Sequence, residues 1–249
     1  MQTNDTKLTQ LVEELRAALG TNLRTVLLYG SAARGDHTGR GSDLNVMAVI
    51  EDGAPRGLEP AARTQRRWRK GGNPPILFVT EEWIRNSTDV FPLEFTDMLD
   101  ARKVLHGADP LEGVTVSQGH LRHQCEHQLR SLVLKLRAAY LDAHGKASDL
   151  QELITASIGS VAAVARGALR LTGGPVPLGA TEVLDAVSER FHLDRRALLA
   201  AAELRGGRPS RSLDEVKAVF LGYFDQIAAL GRALDRLEGT PGGAGEEER

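Results

Sequence analysis

Apolar residues recur with two different periods over the first 110 positions. In residues 6–19 (TKLTQLVEELRAAL), Leu8, Leu11, Val12, Leu15 and Leu19 fall at helical spacing, and Gly20 supplies a stop signal. Three short runs follow in which apolar residues are nearly continuous: LRTVLLY at 23–29, LNVMAVI at 44–50 and ILFV at 76–79. Such runs predict strands covered on both faces. A fourth strand is expected through FPLEF, 91–95, where Glu94 alternates with Leu93 and Phe95. Residues 58–70 (LEPAARTQRRWRK) predict a helix with Leu58, Ala61, Ala62 and Trp68 inward and Arg63, Arg66, Arg67 and Lys70 outward. Strands interspersed with helices predict an α/β domain with a small mixed sheet.

From about residue 117 the pattern is helical throughout. Residues 117–144 place Leu121, Cys125, Leu129, Leu132, Leu136 and Ala139 on one face. Ser148 and Gln151 read as a capping box for a helix ending before Thr172-Gly173-Gly174-Pro175, and Ser212 with Glu215 as another, opening a helix to about Leu237. Shorter helices are expected over 181–190 and 195–204, the second capped by Asp194. The expected divisions are an α/β domain over 1–112, an all-α helical bundle over 113–238 and a disordered tail over 239–249, GTPGGAGEEER.

Composition changes this picture little but excludes several classes. The 249 residues carry a net charge of −2, so no global field draws the chain to nucleic acid or to a membrane. One cysteine, Cys125, permits neither an internal disulfide nor a multi-cysteine metal site. No basic-then-apolar leader opens the sequence, and the longest charge-free apolar stretch, 153–165, is too short to span a bilayer. A cytoplasmic protein with no membrane partner is expected. The Arg63–Lys70 face is a candidate RNA or phosphate surface. No aromatics interleave with it to make a stacking platform, which favours a solvated face over nucleic-acid binding. His120, His123 and His127 fall in a narrow arc opposite the leucine face of their helix. No flanking motif completes a metal site, so a polar face is the better reading. Glu126 is expected to pair with Arg122 and Arg130 at i±4.

The candidate chemistry lies in LLYGSAARGDHTGRGSDLNVMAVI, 27–50. A strand ends in Gly30-Ser31, and the next opens with Ser42-Asp43-Leu44-Asn45. A glycine lets backbone N–H groups approach a triphosphate closely, Ser31 adds a hydroxyl, and a helix starting there favours the anion. In a strand, residues i and i+2 point to one side, so Asp43 and Asn45 would both face the turn. Arg34 either reaches a phosphate or pairs with Asp36. A glycine-rich hairpin turn held by Ser42 or Asp43 would produce similar text.

Gly-Ser at a strand end, eleven residues, then Asp-x-Asn opening the next strand resembles the polymerase-beta-type nucleotidyltransferase superfamily, including its aminoglycoside-modifying and small bacterial members. The resemblance covers roughly residues 22–110. It implies that Gly30, Ser31 and Arg34 hold a nucleoside triphosphate and that Asp43 is catalytic through Mg²⁺. Asn45 would be a second ligand. The reaction implied is transfer of a nucleoside monophosphate to a hydroxyl on a small molecule or a protein. The family pattern has a carboxylate at position 45 and a third on a later strand. Here position 45 is Asn, the run 76–79 has no acid, and Glu94 is the remaining candidate base. An uncharged amide is a poor bridge between cations, so the set suits one weakly held Mg²⁺ rather than two. Two functions stay open: a weakened transferase, or a degenerate one that binds nucleotide or a partner without chemistry.

Overall fold

A computed structural model describes residues 2–34, 44–143, 145–177, 179–204 and 212–237. The chain divides into two compact units, Met1–Ser117 and Gln118–Arg249. The tail 239–249 lies outside the described residues.

The first unit begins with α1 (Gln2–Leu19), whose Leu8, Leu11, Leu15 and Leu19 are buried as their spacing predicts. Four strands then build one sheet: β1 (Leu23–Tyr29), β2 (Asn45–Ile50), β3 (Leu77–Val79) and β4 (Arg102–His106), in the order β3-β2-β1-β4. β1 pairs antiparallel with β2 and with β4, and β2 pairs parallel with β3, so the sheet is mixed. Alternation along β1 and β2 feeds two cores. Val26, Leu28, Val46 and Ala48 pack against α1 and Trp68, while Leu27, Met47 and Val49 pack against Ile84, Phe95 and Met98. The near-continuous apolar text of these two strands follows from cover on both faces.

The remaining helices of this unit are α2 (Ser31–Arg34), α3 (Pro55–Leu58), α4 (Ala62–Lys70), α5 (Glu81–Arg85) and α6 (Pro92–Asp100). The expected helix over 58–70 is therefore broken, with a short 3₁₀ turn at Glu59–Ala61 around Pro60. Of its inward set, Ala61 and Trp68 are buried and Leu58 packs against the core, while Ala62 is only partly buried and Thr64 is buried in addition. The expected strand through 91–95 is not formed. Pro92 sits at the start of α6, where its fixed φ suits a first helical turn and its missing N–H costs nothing. Pro92, Leu93, Phe95 and Met98 are the buried residues of that helix, Phe95 and Met98 falling three apart. The fourth strand is instead β4, an edge strand whose exposed Lys103 and Val104 give it no clean hydrophobic signature.

The second unit contains α7 (Gln118–Asp142), α8 (Ala147–Leu171), α9 (Ala180–Phe191), α10 (Arg195–Leu204) and α11 (Leu213–Arg236). Asp194 Oδ1 accepts from the amides of Arg196 and Ala197, and Ser212 and Glu215 form the expected reciprocal cap of α11. The cap expected at Ser148 is absent. The N-cap of α8 is instead Lys146, two residues earlier, and the Ser148 hydroxyl bonds to Asp149. Glu126 pairs with Arg122 at 2.7 Å and with Arg130 at 3.8 Å. By length and composition α8 would suit a membrane span, yet Ile154, Ile158, Val161 and Ala165 are buried among α7, α9 and α11, making it the central helix of this unit.

One buried polar contact fixes α8 against α11. The Ser157 hydroxyl donates to the Ile154 carbonyl at 2.9 Å, so Tyr223, 2.9 Å from the same oxygen, must be the donor. Burial pushes the Tyr223 phenol well above its ordinary value. Tyr223→Phe is expected to cost about 1 kcal/mol, because Ser157 keeps its own acceptor and no buried donor is stranded. The shift in unfolding midpoint, followed by circular dichroism, measures it.

Candidate functional site

β1 delivers the chain to Gly30 at the end of the sheet. Gly30 has φ +79°, which a side-chain-bearing residue adopts only with strain. Its N–H donates to the Ala101 carbonyl at 3.0 Å, and its carbonyl accepts from Ala33 N at 3.0 Å. The first bond ties the turn to the start of β4, and the second closes the first turn of α2. The Gly30 amide is thus committed to the fold. Ser31 and Ala32 open α2 ahead of Ala33, whose amide is the one bonded to Gly30. Ser31 is exposed and Ala32 is buried.

The turn meets β2 at Asn45. Register pairs Tyr29 with Asn45, and a Cβ added to Gly30 would lie 3.3 Å from Asn45 Nδ2. Gly30 and Asn45, the predicted second ligand position, therefore lie near each other at the ends of neighbouring strands. With Nδ2 turned toward Gly30, Oδ1 is the atom available to a cation. Asn45 is partly buried, on the face of β2 shared by Met47 and Val49, while Leu44 and Val46 enter the opposite core. Asp43 and Asp36 lie outside the described residues, as does the Arg34 side chain, whose residue closes α2.

Glu94 stands in the first turn of α6 and is exposed, so it is not the strand residue facing the Gly-Ser turn that its alternation suggested. The sequence reading also missed the rest of the row to which Asn45 belongs. Tyr29 pairs with Asn45 on one side and with Arg102 on the other, and paired residues share a face. Extending the β2–β3 register two residues back from Met47–Leu77 sets Pro75 level with Asn45. The row at this end of the sheet thus reads Pro75, Asn45, Tyr29, Arg102, with no carboxylate. Arg102 is held in place, its Nε donating to Asp109 at 2.8 Å and its Nη1 to the Leu99 carbonyl at 2.6 Å. Burial pushes the Tyr29 phenol above its ordinary value, so it is a neutral hydroxyl at physiological pH. Recognising β4 in the sequence would have exposed this row.

No group of three His, Cys, Asp or Glu side chains that could hold a metal occurs among the described residues. Of the two predicted ligands, Asn45 is the one among the described residues, and Asp43 lies outside them. His120, His123 and His127 are all exposed on α7.

Among solved structures, the chain is similar to the spectinomycin adenyltransferase AAD(9) from Enterococcus faecialis, crystallised with ATP and spectinomycin. The two share 15% identity at a TM-score of 0.57, over 92% of this chain and 99% of that one. The chain therefore has a nucleotidyltransferase fold, an α/β domain followed by a helical one. No protein-family model and no curated protein matches the sequence.

Proposed function

We propose that the first unit binds a nucleoside triphosphate at Gly30-Ser31 and supports Mg²⁺-dependent transfer of its nucleoside monophosphate to a hydroxyl acceptor, at a weakened rate. The observation that supports this reading is the nearness of Gly30, the proposed phosphate turn, to Asn45, the proposed ligand. The amides of Ser31 and Ala32 and the Ser31 hydroxyl would receive phosphate oxygens, and Arg34 would add a planar cationic fork. Asp43 and Asn45 would hold one Mg²⁺, which when bound supplies neutralisation of triphosphate charge. The protein's own contribution is to orient donor and acceptor for in-line attack. The fold neighbour's crystallisation with ATP and spectinomycin supports a nucleotide donor and a small-molecule acceptor. A hydroxyl on a protein is the other candidate. The chain is expected to act in the cytoplasm.

A second reading, a degenerate transferase that binds nucleotide or a partner without chemistry, is favoured by the carboxylate-free row Pro75, Asn45, Tyr29, Arg102. The loss of one well-placed electrostatic group lowers kcat by roughly 10²–10³. Calorimetric titration of ATP with and without Mg²⁺, on wild type and Asp43→Ala, tests the shared premise. Mg²⁺ should tighten binding in wild type and lose that effect in the variant. An affinity unchanged by Asp43→Ala would end both metal-linked readings. Pyrophosphate release in the presence of hydroxyl acceptors then separates the enzyme from the binding protein.

A further inference from the structure

The second unit carries a groove of about 300 Å³ between α7 and α11. The two helices run antiparallel, since Arg130 Nη2 donates to Asp235 at 2.7 Å while Tyr140 stacks on Phe220, with ring centroids 4.9 Å apart. Leu129 and Val133 line the groove from α7, and Ile227, Ala228 and Gly231 from α11. A Cβ added to Gly231 would meet nothing within 4 Å, so the space beside it is open. The apolar surface continues along α7. Leu134, at the rim, is 64% exposed, and Leu141, two turns further along the same face, is 72% exposed. A contiguous apolar patch of this kind, rimmed by charge, marks a surface that another molecule covers.

The charges on the rim select the occupant. Both carboxylates at the groove are already paired within the chain, Glu126 with Arg122 at 2.7 Å and Asp235 with Arg130 at 2.7 Å. Arg137 and Arg232 are exposed and have no ion pair among the described residues. Arg137 lies over the Phe224 ring at 5.6 Å, which sets it level with that residue of α11. Arg232 is eight residues further along α11, so the two cations stand about 12 Å apart along the groove. A second copy of this chain would bring these cations against their own kind, whereas an acidic partner would pair with them. An extended strand would find no ladder to join, because the amides and carbonyls here are spent within α7 and α11. A helix satisfies its own backbone and can lie along the pair like a further member of a bundle.

We propose that the α7–α11 groove docks an amphipathic helix of a protein partner, its apolar face on Leu129, Val133 and Ile227 and two carboxylates, about two turns apart, on Arg137 and Arg232. The surface belongs to the helical unit and does not depend on the nucleotide reading.

The test uses the full chain and two fluorescently labelled peptides of about 16 residues, long enough to hold a helix. One carries leucines at i, i+3, i+4 and i+7 flanked by glutamates seven apart, and its twin has lysines in place of those glutamates. Anisotropy should show saturable binding of the acidic peptide with Kd below about 100 µM and binding of the lysine twin at least about tenfold weaker. Gly231→Leu fills the groove with a better helix former and should abolish binding while the circular dichroism spectrum keeps its helical shape. Arg232→Glu, an exposed change, should weaken the acidic peptide about fivefold and strengthen its twin. Absence of saturable binding by either peptide overturns the proposal, as do equal affinities for the two or an affinity untouched by Gly231→Leu. A concentration-dependent dimer in sedimentation that Gly231→Leu dissociates would give the groove to a second copy and overturn it too.

Discussion

Gly107→Ala is expected to unfold the first unit at a much lower urea concentration, with a loss of about 3 kcal/mol or more. Gly107 follows β4 at φ +80°, and a Cβ there would lie 2.2 Å from the Arg24 carbonyl oxygen and 2.7 Å from Thr25 Oγ1. The nearer obstacle is backbone of β1, which is paired on both sides in the sheet, so no side-chain rotation relieves it. The second is a hydroxyl already donating to the Ala108 carbonyl at 2.9 Å, the bond that fastens the end of β4 onto β1. Strained backbone, a main-chain collision and a threatened buried hydrogen bond therefore act together. Gly113→Ala is the control. Its φ is +74° but nothing lies within 4 Å of the added carbon, so only the left-handed penalty of about 1 kcal/mol applies. Both tryptophans, Trp68 and Trp83, belong to this unit, so fluorescence follows its unfolding without interference from the helical unit. Equal midpoints for the two variants would show that the β1–β4 junction yields freely.

Asn45→Asp should change ATP binding in opposite directions with and without Mg²⁺. The substitution preserves shape and replaces a neutral carboxamide by a carboxylate near Gly30. With Mg²⁺, affinity is expected to rise about tenfold, and pyrophosphate release by about ten- to a hundredfold. Without the cation, the added negative charge faces the phosphates and should weaken binding. This reversal of sign separates a metal ligand from a residue that merely packs near the turn. An isotherm unchanged by the substitution in both conditions would remove Asn45 from the second ligand position.

The elements that could be read from the sequence are those whose burial is unambiguous. β1 and β2 are covered on both faces, and their apolar runs located them to within a residue. α10 and the cap of α11 were legible because capping is local chemistry, set by side chains within three residues of the helix start. The misreading at 91–95 has a clear cause. Five residues with apolar side chains at 91, 93 and 95 satisfy a strand period, and the helix shows itself only when Met98 is counted. β4 escaped because an edge strand needs little apolar surface, and its partners come from tertiary pairing. Of the candidate site, the placement of Gly30 at the end of β1 and of Asn45 at the start of β2 was legible. Tyr29, Arg102 and Pro75 join the row only through strand register, which no local pattern encodes. The indole of Trp68 is a similar case, since its amphipathic position foretold burial but not that Nε1–H would lack an acceptor among the described residues.

The proline level with Asn45 also shapes how this sheet meets other molecules. β3 is a three-residue outer strand entered through Pro74 and Pro75. Neither proline offers an amide hydrogen, so a foreign strand finds no ladder to extend at that rim. Placing an acid at position 75 to complete a cation cage would restore an amide there and make the border more adhesive. Self-association on concentration would be the consequence to watch for in any such redesign.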